Sequence, residues 1–166
     1  IVGKQPVAPL LVDALKRLEY RGYDSAGVAT IEGDHLDRRR AQGKLVNLEA
    51  RLNDLPLSGK VGIGHTRWAT HGVPNETNAH PHFSENVAVV HNGIIENFRA
   101  LRDELSSAGY EFTSQTDTEV VAHLVAKELK DGAKPIDAAH NAIKRLEGAF
   151  ALAILFRSED DLIVGA

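Results

Sequence analysis

A polar segment near the middle of the chain carries side chains suited to binding a carboxylate. Arg67 and Trp68 stand side by side in the run Gly64-His65-Thr66-Arg67-Trp68-Ala69-Thr70-His71-Gly72, and Trp68 is the only tryptophan. An arginine fork binds a carboxylate through two parallel hydrogen bonds, and a neighbouring indole shields that pair from water. The alternative is an ion pair between Arg67 and a carboxylate of the protein surface, and Arg67 alone does not decide between the two.

Two further segments offer polar groups of a kind used in catalysis and substrate binding. Asn92 and Gly93 follow His91 at the end of an apolar run, where an amide and a backbone N–H can hold an oxyanion. An Asn-Gly pair is more often only a turn. Asp117 precedes a helical pattern, where an acid usually caps the helix, although it can also pair with the ammonium group of a substrate.

Histidines cluster in and beside the same polar region and raise the question of a metal. Five of the eight fall there: His65, His71, His80, His82 and His91. Pro81 stiffens the His-x-His pair, the helical metal motif H-E-x-x-H is absent, and Glu76 and Glu85 are the only acidic residues nearby. We therefore interpret these side chains as hydrogen-bonded loop histidines and predict neither a metal nor a cofactor.

Three other patterns do not support a site. Residues 22–27 lack the first glycine of a hydrolase nucleophile elbow, since Tyr23 occupies its place. Gly59-Lys60 lacks the upstream glycine of a phosphate loop. The run Arg38-Arg39-Arg40 is interpreted as a solvated face on a strand edge, since alternation along a strand sends successive side chains to opposite faces.

Composition limits the classes of protein that remain. The chain has 166 residues, a formal charge of −4 and no cysteine, so disulfides, thiolate metal sites and a cysteine nucleophile within these residues are excluded. An acidic balance argues against a nucleic-acid partner. The longest apolar run, residues 149–156, is too short to cross a membrane, and no signal peptide is recognised. We expect one domain in the cytoplasm.

The spacing of apolar residues predicts one unit of interleaved strands and helices. Strands are predicted over residues 26–31, 35–40, 61–65, 87–91 and 149–156, the last buried on both faces, and helices over 10–18, 45–52, 97–108 and 135–146. A further helix is predicted to be opened by residues 116–119 and to continue to 129. A long polar loop is predicted over residues 66–86, and Thr116 with Glu119 fits a capping box. Both chain ends are apolar and are expected to lie in strands.

Five ordered segments together resemble one family. They are residues 17–27, 65–72, 78–82, 91–97 and 116–119. They resemble the glutaminase domain of the glucosamine-6-phosphate synthases, which belong to the class II glutamine amidotransferases. Purine-synthesis relatives share the arginine loop and the Asn-Gly pair, but Glu19-Tyr20-Arg21-Gly22-Tyr23-Asp24-Ser25-Ala26-Gly27 favours the hexosamine branch.

The resemblance, which covers essentially residues 1–166, implies an α+β fold and roles for individual residues. The fold is that of the N-terminal-nucleophile hydrolases, a four-layer αββα sandwich of two mostly antiparallel sheets, here expected to be incomplete at both ends. Arg67 would hold the carboxylate of glutamine and Asp117 its ammonium, while Asn92 and the N–H of Gly93 would stabilise the oxyanion. The remaining roles concern the walls of the site: Thr70 and His71 line the pocket, Trp68 belongs to a closing loop, and Arg21 orders the surroundings of the nucleophile.

In that family the nucleophile is an N-terminal cysteine that opens a Cys-Gly-Ile-Val-Gly strand, and its own α-amine acts as the base. Since Ile1 opens this chain, we expect the nucleophile upstream and the chain as given to be inactive. The resemblance further implies sugar-isomerase domains, absent here, that bind fructose 6-phosphate and form a homodimer. The alternatives left open are a non-catalytic glutamine-binding or interaction module of the same fold and, more distantly, a histidine-ligated metal hydrolase.

Overall fold

The computed structural model describes residues 1–157 and 162–166, which form two antiparallel sheets and five helices. The elements are α1 Ala8–Lys16, a 3-10 turn Glu19–Arg21, β1 Ser25–Glu32, β2 His35–Gln42, α2 Leu45–Asp54, β3 Val61–Arg67, β4 His82–Ser84, β5 Val87–Ile95, α3 Phe98–Ser107, α4 Thr118–Lys130, α5 Pro135–Lys144, β6 Gly148–Phe156 and β7 Ile163–Gly165. Among the described residues, no helix combines the length and the apolar character needed to span a membrane.

The elements stack in four layers. Strands in the order β2-β1-β3 form one sheet and strands in the order β4-β5-β6-β7 form the other. Helices α1 and α2 pack on the outer face of the first sheet, and α3, α4 and α5 pack on the outer face of the second. A third apolar cluster fills the space between the sheets. This arrangement confirms the predicted αββα sandwich.

Side chains on the two faces of strand β1 pack against two different layers of the fold, because successive side chains of a strand point to opposite faces. Ala26 and Val28 of β1 face the helices, whereas Ala29 and Ile31 face the second sheet. All strand pairs in the two sheets are antiparallel, so the alternation of strands and helices along the chain does not produce a parallel sheet.

Most predicted elements are present, with ends that differ by a few residues, but three predictions need correction. Strand β5 continues through Asn92-Gly93 to Ile95, so the pair lies within a strand and the turn interpretation is wrong. The predicted loop over residues 66–86 contains the short strand β4. Strand β6 is buried only in its second half, because its first residues, Gly148 and Ala149, are exposed at the end of the sheet.

The predicted capping box is wrong in its detail. Helix α4 begins at Thr118 with Asp117 as its N-cap, and no side-chain hydrogen bond caps it. The Thr116 hydroxyl contacts His82 instead. The Glu119 carboxylate reaches past the helix start and accepts hydrogen bonds from the N–H groups of Thr113 and Ser114. The same residue types therefore fasten the preceding segment to the helix rather than closing its first turn.

The arginine run is not a solvated face. Arg38 donates to the carbonyl of Pro81 at 3.0 Å, and Arg40 donates to the carbonyls of Thr77 and Ala79 at 3.0 and 2.9 Å. Burial lowers the pKa of Arg38 to about 10. Because β2 is an edge strand next to the polar loop, its arginines satisfy the carbonyls of that loop and fix its path across the sheet.

Candidate functional site

The residues predicted to bind glutamine converge on one narrow cleft between the two sheets. With the exception of Arg21, they all line a cavity of about 40 Å³: Arg67, Trp68, Thr70, His71, Asn92, Gly93 and Asp117. Arg21 lines an adjoining cleft of about 340 Å³, and Trp68 and Asn92 border both. The predicted residues come from the end of β3 and its loop, from β5 and from the start of α4.

Arg67 lies at the end of β3 with its guanidinium turned into the protein. It is 3% exposed, and Nη1 lies 3.3 Å from Asp24 Oδ1. Nη2 donates to the carbonyl oxygens of His71 and Gly72 at 2.5 and 3.1 Å. The other Asp24 oxygen accepts a hydrogen bond from the Ala69 N–H. Arg67 thus has a protein carboxylate as its partner, and it also shapes the loop that follows.

Asp24 is a structural centre of the site to which the motifs gave no role. Besides Arg67 and Ala69, its carboxylate accepts a hydrogen bond from the Ser25 hydroxyl at 2.9 Å. Its backbone N–H donates to the Arg67 carbonyl at 2.8 Å. The signal was present in the sequence, since Asp24 lies in one of the five segments that resemble the family, but its contacts depend on the pairing of β1 with β3.

Asn78 and Gln115 hold the far end of the loop that follows Arg67 through hydrogen bonds. Asn78 is 1% exposed and donates to the Val73 carbonyl at 2.9 Å and to Gln115 Oε1 at 3.1 Å. In return, Asn78 Oδ1 accepts a hydrogen bond from the Gln115 N–H at 2.9 Å. The loop is therefore attached to the segment that leads directly into Asp117.

Trp68 covers the cleft from outside and packs on the backbone of Gly22. It is 68% exposed, as a residue of a closing loop would be. A Cβ atom at Gly22 would lie 2.5 Å from Trp68 Cζ3, so only glycine allows this contact. The turn that carries Arg21 is thereby placed against the loop that carries Arg67.

Gly93 is required by the geometry of the sheet. Its φ is +125°, and a Cβ atom there would lie 2.2 Å from the carbonyl oxygen of Ala149 on β6. Any other residue would force β5 and β6 apart at this point. Asn92 and Gly93 are both exposed toward the cleft, where an amide and a backbone N–H are available to a bound molecule.

Asp117 reaches the same strand from the start of α4. It is 3% exposed, and Oδ2 accepts a hydrogen bond from the Ile95 N–H at 2.9 Å. Its two oxygens lie 3.9 Å from His71 Nδ1 and 3.8 Å from His91 Nδ1. A buried carboxylate with one strong donor has acceptor capacity left for an ammonium group.

Four histidines cluster at the cleft, and three of them, His65, His80 and His91, line it. The ring of His80 lies 4.4 Å from that of His65 and 4.9 Å from that of His82, between centroids, and 6.5 Å from that of His91. Burial lowers the pKa of each below the ordinary 6.5, to about 4 for His65 and about 3 for His82. Within residues 1–157 and 162–166, no three histidine or carboxylate side chains are grouped so that they could hold a metal ion.

A separate cleft of about 360 Å³ lies between α1 and α2 and contains none of these groups. Its lining combines apolar side chains such as Val12 and Leu52 with the carboxylates of Asp13 and Glu49. The chemistry-bearing residues are therefore in the narrower cleft, and cavity size alone does not find them.

Comparison with known proteins finds glutamine amidotransferases both by family and by individual relatives. The family described as glutamine amidotransferase domain matches residues 65–166. A glutamine–fructose-6-phosphate aminotransferase (isomerizing) of Mesorhizobium japonicum is 76% identical over 166 residues, which is 100% of this chain and 27% of that protein. One of the same name from Rhizobium meliloti is 64% identical over the same shares. The chain thus spans 27% of the length of these curated relatives.

A solved structure shares the fold. The glutamine phosphoribosylpyrophosphate amidotransferase from B. subtilis, complexed with ADP and GMP, superposes with a TM-score of 0.80 at 28% identity. The match covers 94% of this chain and 34% of that one. The two-sheet architecture described above is therefore that of a known amidotransferase.

Proposed function

This chain belongs to the glutamine amidotransferase domain family, and from that premise we propose that residues 1–166 are the glutamine-hydrolysing domain of a larger enzyme. One observation carries the proposal. An arginine, a buried aspartate and an Asn-Gly pair, which are far apart in sequence, line one cleft. Free glutamine has a carboxylate, an ammonium group and an amide carbonyl. These three groups are chemically complementary to the arginine, the aspartate and the Asn-Gly pair, respectively.

We propose that Asp117 binds the ammonium of glutamine and Arg67 its carboxylate. Arg67 already donates to Asp24 and to the carbonyls of His71 and Gly72. A bound carboxylate therefore replaces carbonyl contacts, and it is the stronger acceptor of the two. Binding and the conformation of the loop over residues 68–73 are coupled in this account, with Thr70 and His71 lining the pocket and Trp68 closing it.

The reaction needs a nucleophile that these residues do not contain, since the chain has no cysteine. The resemblance gives Cys-Gly ahead of Ile-Val-Gly, and the strand register supports that alignment. Val2 bridges Val61 antiparallel, and Ile1 exchanges hydrogen bonds with Gly62 at 2.7 and 2.9 Å. A strand continued by two residues runs alongside Ile63 and Gly64. Gly64 borders the cleft of about 340 Å³ that Arg21, Trp68 and Asn92 also line.

With that cysteine present, the chemistry follows the charges of the cleft. Its thiol loses a proton to its own α-amine, whose ordinary pKa of about 8 suits the transfer, and sulfur attacks the amide carbon. The carbonyl oxygen becomes an oxyanion held by the Asn92 amide and the Gly93 N–H. The carbon–nitrogen bond then breaks, the amine returns its proton to the leaving nitrogen, and ammonia departs. Water hydrolyses the thioester to glutamate and regenerates the thiol.

The name of the relatives supports a second step in the whole protein. We propose that the ammonia is passed to fructose 6-phosphate, giving glucosamine 6-phosphate, in sugar-isomerase domains outside these residues. Those domains would also make the homodimer, and the cytoplasmic location is a prediction on the same footing.

Calorimetric titration with glutamine tests the assignment of Arg67. The chain extended by Ser-Gly ahead of Ile1 binds without turnover, and Arg67→Ala is expected to abolish binding. Arg67→Lys is the matched variant, because it keeps the charge without the planar fork, and it should bind weakly. Unchanged affinity in Arg67→Ala would refute the role. Glutamine binding without glutamate release by the Cys-Gly-extended chain would favour the non-catalytic module.

A further inference from the structure

Thr118, to which the motifs gave no role, contacts two histidines at once from the first turn of α4. Its side chain is fully buried, and Oγ1 lies 2.8 Å from His80 Nε2 and 3.0 Å from His91 Nδ1. His80 belongs to the loop before β4, and His91 belongs to β5. One hydroxyl therefore joins the loop, the strand and the helix under the cleft.

The number of protons restricts how these three groups are arranged. Burial lowers the pKa of both His80 and His91, so near pH 7 each ring is neutral and carries one proton. A hydroxyl donates only one hydrogen bond, although it can accept more than one. Within the described residues these two ring nitrogens are the hydrogen-bond partners of Thr118 Oγ1. The arrangement that uses the hydroxyl proton therefore has Thr118 donating to one ring nitrogen, which carries no proton, and accepting from the other, which does.

Asp117 decides which nitrogen is which. Its Oδ1 lies 3.8 Å from His91 Nδ1, where an N–H is attracted and a lone pair is repelled. The nearest rings to His80 are those of His65 and His82, which are neutral and impose no such preference. His91 therefore donates from Nδ1 to Thr118, and Thr118 donates to His80 Nε2. Both histidines then carry their proton on Nδ1.

We propose that Thr118 is a positioning residue that joins His91 to His80, both as Nδ1–H tautomers, and so holds in place the strand segment that carries Asn92 and Gly93. The segment is held at both of its ends by consecutive residues of one helix start. Thr118 holds His91, and Asp117 accepts the N–H of Ile95 at 2.9 Å. The pair between them cannot shift along or away from α4 without loss of one of these two hydrogen bonds.

Nitrogen-15 NMR of the histidine rings tests the tautomers directly on the 166-residue chain. Both His80 and His91 are expected to show a protonated Nδ1 and an unprotonated Nε2. Thr118→Val removes the hydroxyl at similar volume and should leave His80 as a mixture of tautomers, while Asp117 keeps the proton of His91 on Nδ1. Thr118→Ser should preserve the native pattern at both rings. Thr116→Val is the matched control, because Thr116 contacts only His82 among the histidines of the described chain, at 3.1 Å. It should alter the His82 signal alone.

Two outcomes would overturn the proposal: a native His80 or His91 protonated mainly on Nε2, or the native His80 tautomer retained in Thr118→Val. If Thr118→Val does not fold, the native spectrum and Thr118→Ser still decide. The effect on glutamine rests on the proposed function. Measured on the Cys-Gly-extended chain, Thr118→Val is expected to lower kcat about tenfold, the order of one lost positioning hydrogen bond, with KM little changed and Ser restoring the rate. Failure of the native chain to use glutamine would refute the function and leave the tautomer result standing.

Discussion

Two parts of helix α4, its first turn (here the polar end) and the turns that follow it up to Ala126 (here the apolar end), are held in the protein by different forces. Beyond its first turn the helix is buried among hydrocarbon, with Val121, Leu124 and Val125 packed against α3, α5 and the second sheet. Its first residues are equally buried, but Asp117, Thr118 and Glu119 hold neighbouring segments through hydrogen bonds instead. Apolar packing stabilises without fixing direction, whereas hydrogen bonds fix individual atoms. The apolar end therefore supplies stability, and the polar end supplies the geometry of the cleft.

Acidification should cause the largest change in stability, and it should act through the histidines packed against the polar end of α4. His65 on β3 is one of them, since its ring lies 4.4 Å from that of His80, which contacts Thr118. Burial lowers the pKa of His65 from 6.5 to about 4, so the unfolded chain binds more protons than the folded one between these pH values. The free energy of unfolding is greatest above pH 6.5 and falls as the pH drops toward 4. The loss due to His65 alone is on the order of 3 kcal/mol. Urea unfolding at a series of pH values measures this slope, and a flat profile over that range would contradict buried neutral histidines.

Truncation at the apolar end should lower stability and leave the site intact. Leu124 is 1% exposed within the cluster formed by α3, α4 and α5. Leu124→Ala should lower the free energy of unfolding by about 3 kcal/mol at every pH. Glutamine affinity of the folded Ser-Gly-extended variant should match that of the unsubstituted chain. A loss of affinity larger than the error of calorimetry would mean that the two ends are not separable.

Substitution at the polar end should have the opposite signature. Asp117→Asn keeps an oxygen for the Ile95 N–H but removes the charge, so stability should change little. Glutamine affinity should fall by about 30-fold, corresponding to about 2 kcal/mol for a lost charge-assisted hydrogen bond. Calorimetry beside a urea titration separates the two effects. Equal losses of stability and affinity would assign Asp117 a purely structural part.

The smallest expected effect concerns the attachment of the loop. Asn78→Ala removes the hydrogen bonds to Val73 and Gln115, and water reaches the groups that are released. The expected loss is about 1 kcal/mol of stability, with a rise of about threefold in the KM for glutamine of the Cys-Gly-extended chain. Asn141→Ala, which breaks only an exposed contact with Glu128, is the control and should change neither.

The sequence predicted the layers of the fold better than it predicted the polar contacts. Periodicity located the strands and helices because apolar faces repeat at short range. No local pattern reports the polar contacts that join residues far apart in the chain. These are the ion pair of Asp24 with Arg67, the contact of Thr118 with His91 and the hydrogen bond of Arg38 to Pro81. Asn92-Gly93 was interpreted as a turn by its residue types, but the same glycine instead permits close approach of β6.

Resemblance of motifs supplied what periodicity could not. Arg67, Asp117 and Asn92 were selected by their residue types, and the resemblance added roles toward glutamine that stay predictions. The structure brings the three residues to one cleft. Thr118 lay inside a matching segment and was still missed, because its contribution is a contact geometry rather than a recognisable chemical group.

Release of glutamate from glutamine shows whether this cleft supports glutamine hydrolysis once a cysteine stands ahead of Ile1. Three chains are compared: the 166 residues alone, the same chain preceded by Cys-Gly, and a matched chain preceded by Ser-Gly. The account predicts turnover by the Cys-Gly chain only, since the cleft supplies binding and oxyanion groups while the thiol must be added. Turnover by the 166 residues alone, or failure of the folded Cys-Gly chain to hydrolyse glutamine, would contradict it.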